Sequence, residues 1–125
     1  MKLAAVVLAS IVAFGSSVSF ADDVAKLARD REAAVAAVYP ALEREFEAAK
    51  RTPSELGAWS VRWLDATLDA GGAVDKAFAD HLARMTEVEK REQAMVKSGL
   101  APTSDLGIAT YYKAEAALWK ARGKK

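Results

Sequence analysis

Apolar residues along this chain recur at three- and four-residue steps, and no stretch alternates with the period of two that marks a strand. From Val24 the apolar positions are Leu27, Ala34, Val35, Val38, Leu42, Phe46 and Ala49, which predicts a first helix, A, over about 23–50. Asp22–Lys26 and Glu47–Arg51 are spaced to pair on its surface. Pro40 lies inside this run, so a kink or a break is expected at Tyr39-Pro40. Thr52-Pro53-Ser54-Glu55 then reads as a capping box with proline at the first helical position. Helix B is expected from Pro53 to about Ala70, ending at Gly71-Gly72. Helix C, about 73–98, carries Val74, Ala77, Phe78, His81, Leu82, Met85, Val88, Met95 and Val96, with Asp80–Arg84 and Glu87–Arg91 as surface pairs. Gly99-Leu100-Ala101-Pro102 ends it, and Thr103 or Ser104 is expected to cap helix D, which runs to about Arg122.

The pattern repeats. Ser54-Glu55-Leu56-Gly57 returns fifty residues later as Ser104-Asp105-Leu106-Gly107, with Ser60 matching Thr110 and Leu68 matching Leu118. The expected fold is therefore all-α: two antiparallel helical hairpins, A–B (22–70) and C–D (73–122), packed as a small bundle, with a basic tail at 123–125. In the repeat register Trp59 falls opposite Ala109 and Trp63 opposite Lys113, so bulk sits at different places in the two hairpins. Trp59 and Trp63 are expected in the core, and one of Tyr111 and Tyr112 at the surface, because neighbours on a helix point about 100° apart. Helices A and C are longer than B and D. The start of A, DDVAKLARDRE, therefore has no partner of matching length, and it should fray, bend back at Pro40, or pack on another copy. Val24 and Leu27, with Tyr111 and Tyr112, are the candidate interaction residues.

The chain opens MKLAAVVLASIVAFGSSVSFADD: a basic residue, an apolar run from Leu3 to Gly15, and Ser19-Phe20-Ala21 before Asp22. That is the layout of a secretory signal peptide, 1–21, with cleavage after Ala21 and a periplasmic or secreted destination. The apolar run would span roughly 20 Å as a helix, short of a bilayer core of about 30 Å, so no stable membrane insertion is expected after cleavage. With no cysteine, disulfides, lipid attachment at a cysteine and thiolate metal sites are excluded. Against 18 Lys and Arg stand 17 Asp and Glu, a balance that points to no nucleic-acid or membrane-surface partner.

Candidate chemistry is sparse. The single histidine, His81, leaves no obvious nucleophile–base pair, and the carboxylates are dispersed among Lys and Arg, so no catalytic residue is expected. His81 and Met85, one turn apart, are the only pair that could share a soft metal; the spacing favours His81 at the core boundary and Met85 within it. Both sit on one face of one helix and cannot ligate a haem from two sides. No cofactor is expected.

The stretch VEKREQAMVKSGLAPTSDLGIATYYKAEAALWKA resembles the helical repeat of TolC-type outer-membrane efflux proteins, through Lys97, Gly99, Thr103, Asp105-Leu106, Ala109, Glu115 and Leu118. The chain lacks the transmembrane strands of those channels, so the resemblance implies at most a periplasmic hairpin that packs with other hairpins. Trp59-Ser60-Val61-Arg62-Trp63-Leu64 is similar to an element of uncharacterised exported bacterial helical-hairpin proteins. Together these imply a non-enzymatic interaction module for other protein chains, its own copies included. The alternative is a ligand- or metal-responsive periplasmic bundle.

Overall fold

The computed structural model describes residues 2–125, with side chains from Ser19 onward. Most of the expected signal segment, 1–21, thus lies outside the described side chains. Four helices follow in order: α1 (Lys2–Glu47), α2 (Pro53–Asp69), α3 (Val74–Lys97) and α4 (Thr103–Arg122), with no strand among the described residues. The fold is an all-α four-helix bundle built from two hairpins, α1–α2 and α3–α4. α2 is its centre and packs on the other three helices.

The turns follow local chemistry. At the start of α2 the Thr52 hydroxyl accepts from the Glu55 amide at 3.3 Å, and the Glu55 carboxylate accepts from the Thr52 amide at 3.3 Å. Arg51 braces the same corner by pairing with Glu45 and Glu55. Gly71, Gly99 and Gly123 close their helices with positive φ; Ala49 does so after α1 at φ 60°, a conformation that an L residue with a Cβ adopts at some cost. The α4 start differs from expectation. Pro102 is the N-cap and gives no side-chain cap bond, so Thr103 is already the first helical residue and neither it nor Ser104 is the cap.

Pro40 does not break α1. It sits on the exposed face, where the carbonyl it leaves unbonded, that of Ala36, is not sealed in the core. The buried stripe of α1 is Val35, Tyr39, Leu42 and Phe46; Val24, Leu27, Ala34 and Ala49 from the expected apolar set are exposed. Val74 on α3 is also exposed. Leu56, Met85, Val88, Ala109 and Ala116 complete the main core, and Leu64, Ala77 and Phe78 form a smaller cluster beside it.

Trp59 and Trp63 are half-buried and pack against the main core from its edge, rather than lying within it. The fully buried line on α2 is Leu56, Gly57, Ser60 and Leu64, because this central helix turns its small residues to its closest neighbours and its tryptophans to the flanks. Tyr112 explains the glycine: a Cβ at Gly57 would stand 2.6 Å from carbons of the Tyr112 ring, whereas Gly107, its repeat counterpart, faces open space. Large-small interdigitation between the hairpins is thus real, though the repeated glycine serves it only once.

Several surface pairs are redistributed. Lys26 bonds Asp30 rather than Asp22, and Glu47 joins Arg91, which also reaches Glu43 and Glu87. Asp80 takes Lys76, because Arg84 turns inward.

Candidate functional site

Three arrangements carry chemistry: a buried polar centre, a buried lone carboxylate, and an open apolar face. The polar centre joins α2 to α3. Ser60 and His81 are both fully buried, and Ser60 Oγ lies 2.7 Å from His81 Nδ1. Arg84 donates to the same hydroxyl from Nε at 2.6 Å and to the Ser60 carbonyl at 3.1 Å. Since the hydroxyl has no other acceptor, the hydrogen-bond network assigns its proton to Nδ1, which leaves the imidazole proton on Nε2. Nε2 itself has no partner, and neither does the buried Tyr39 hydroxyl. The Arg84 guanidinium lies 4.3 Å from the Trp63 ring centre and 5.7 Å from that of Tyr39, while His81 stacks on Trp119 at 5.6 Å.

This environment keeps His81 neutral. Burial, then the charges of Arg84 and Lys125, push its pKa down to about 4 against a weaker upward pull from Asp65. Burial likewise raises the Tyr39 phenol. The Ser60–His81 pair has a nucleophile–base spacing, yet the hydroxyl is sealed from solvent and held by Arg84, so this conformation offers it no substrate. His81 is deeper than the boundary position expected of it. Met85 is fully buried as expected, in the neighbouring core. His81 Nδ1 is already engaged, and among the described residues no group of three or more His, Asp or Glu side chains converges on a metal position.

The second arrangement is Glu92. It is 1% exposed, and both carboxylate oxygens lack a hydrogen-bond partner. Burial and the nearby Asp105 raise its pKa above the ordinary carboxylate value. It lines a cavity of about 200 Å³ between the two hairpin turns, with Lys50, Arg51, Met95, Leu100 and Asp105. Ser60, His81 and Glu92 were all detectable as polar residues on apolar stripes. Ser60 sits midway between Leu56 and Leu64, His81 between Phe78 and Met85, and Glu92 one turn after Val88.

The third arrangement is the start of α1. Arg31 bonds Asp69, the last residue of α2, at 2.5 Å, and that pair marks the end of the bundle. Beyond it α1 continues without fraying or bending back; in the stretch 19–30 every side chain but Ala28 is exposed, with Phe20 at 71%, Val24 at 53% and Leu27 at 65%. The same helix face continues into a groove of about 340 Å³ formed by Arg31, Ala34, Val35, Val38, Trp59, Arg62 and Ala66. Arg62 covers the Trp59 ring at 4.7 Å. On α4, Tyr111 is 62% exposed and bonds Glu115, whereas Tyr112 is half-buried against Gly57. The structure thus puts Val24 and Leu27 on one surface and Tyr111 on another.

The class is defined by this architecture: a two-hairpin, all-α four-helix bundle with an overhanging first helix. Comparison with protein-family models, curated proteins and solved structures finds no match for the chain. No described helix is long and apolar enough to cross a membrane.

Proposed function

We propose that the protein is an exported, non-enzymatic helical module that binds another protein chain along the α1–α2 face. One observation carries the reading: the exposed residues Val24 and Leu27, which remain after cleavage at Ala21, continue along one helix face past Arg31 into the Trp59 groove. A contiguous apolar strip rimmed by charge is the signature of a helix-in-groove contact, not of a solvated face. Export rests on the signal-like start MKLAAVVLASIVAFGSSVSFADD. The resemblance of the second hairpin to efflux-protein repeats agrees with a module that packs against other helices.

A photo-crosslinking residue at Leu27, set against one at Ala83 on the exposed side of α3, tests this in cells that export the protein. Adducts at Leu27 alone are expected; adducts at neither position refute the reading. Glu92 favours a second reading, a ligand-responsive bundle, since a buried carboxylate beside a cavity suits a small cation. A thermal shift near pH 7 with divalent cations or small amines, lost in Glu92→Gln, would support it; no shift removes it.

A further inference from the structure

We infer that the partner on the α1–α2 face is a second copy of this chain, paired antiparallel about a two-fold axis at Arg31. The inference rests on the interaction reading above and names its occupant.

The face is self-complementary by spacing. Leu27 and Val35 lie four residues either side of Arg31, and Val24 and Val38 lie seven either side. In a helix these offsets return to nearly the same direction, so all five residues share one stripe. One half of the stripe, Val24 and Leu27, protrudes without a partner; the other half, Val35 and Val38, lines the groove. Rotating a second copy about Arg31 places its Leu27 over Val35 and its Val24 over Val38. A two-fold contact requires this reciprocity, with the same patch both giving and receiving. The groove has room because Ala34 and Ala66 are small, and Trp59 supplies a large apolar wall.

Charge selects the same register. Opposite the end of the overhang, near Val38, the groove is rimmed by the exposed Arg62, and the overhang carries Asp22 and Asp23 beside Val24. The paired arrangement brings Asp23, on the flank of the stripe, towards the partner's Arg62 in both halves of the dimer, while Asp22 points to the opposite side of the helix. At the axis the two Arg31 side chains do not meet as bare charges, since each is bonded to its own Asp69 at 2.5 Å. The overhang that remains after cleavage, 22–30, is about 14 Å long, enough to carry Leu27 and Val24 along the groove. Pairing would also bury the apolar surface that α1 presents past the end of α2.

Light scattering on the protein purified from cells that export it, beginning at Asp22, is the test at about 100 µM, where a micromolar contact is populated. Twice the monomer mass is expected. Leu27→Glu and Arg62→Glu each alter an exposed position and should give monomers with unchanged helical circular dichroism. Asp23→Arg combined with Arg62→Glu should recover the dimer, an outcome that damage to the fold would not produce. A monomeric parent chain, or a dimer indifferent to both single substitutions, overturns the inference. A monomeric chain that still forms adducts through Leu27 in cells overturns self-pairing alone; a monomeric chain without adducts removes the interaction reading as well.

Discussion

Acid should unlock this bundle at His81. The imidazole is buried between Ser60 and Trp119, and its pKa falls from an ordinary 6.5 to about 4. The unfolded chain therefore takes up a proton at a higher pH than the folded chain does. A depressed histidine contributes its full stability above the unfolded pKa, and that stability is lost as pH falls from about 6.5 towards 4. Integrating the two titrations from pH 7 to pH 4.5, with the shift of 6.5 to about 4, gives a loss of about 2 kcal/mol from this one group. The assay is urea unfolding followed by tryptophan fluorescence at both pH values, for the parent chain and His81→Asn. Asn keeps an acceptor for the Ser60 hydroxyl and removes the titration. The variant should be less stable near neutrality, by about 1–3 kcal/mol, through lost packing on Trp119. Its further loss on acidification should be smaller than the parent's by about 2 kcal/mol. Carboxylate titrations common to both proteins cancel in that difference. Equal acid losses in the two proteins would refute the assignment of His81 as a neutral, buried group.

Other sites give sharp contrasts. Gly57→Ala drives a methyl into the Tyr112 ring and should destabilise by about 1–3 kcal/mol, whereas Gly107→Ala meets open space and should stabilise by up to about 1 kcal/mol; thermal melts compare them. Thr52→Ala breaks the α2 capping box and should cost about 1 kcal/mol in chemical denaturation, while Thr103→Ala, inside the first turn of α4, should cost little. Glu92→Gln should raise the melting temperature near pH 7, for a gain on the order of 1 kcal/mol. A carboxylate with a raised folded pKa loses stability as pH rises through that pKa, so the gain should vanish in acid, where Glu92 is itself protonated.

Local signals were legible wherever the physics is local. Thr52 and Glu55 satisfy each other's backbone amides within one turn, so the start of α2 could be read directly. The glycines at 71 and 99 mark chain reversals for the same reason. The unmatched start of α1 followed from comparing helix lengths, and Arg31–Asp69 is where that mismatch begins. Of the kink or break expected at Pro40, the break does not occur, and the sequence does not say which face of the helix meets solvent. The candidate pair His81–Met85 shared a helix face, but the histidine's partners came from elsewhere: Ser60 is twenty-one residues earlier and Trp119 lies on another helix.

The sequence by itself determined four helices, their turns and the pairing into hairpins, since periodicity, caps and glycines act over a few residues. Only the tertiary structure decided what the side chains do. It put Arg84 inward rather than on Asp80, sealed Ser60 and His81 together, and left Glu92 without a partner. It turned Trp59 from an expected core residue into the wall of an open groove. The reason is geometric. Which stripe of a helix is buried depends on how many neighbours surround it, and α2 has three, while residues 19–27 of α1 all lie exposed.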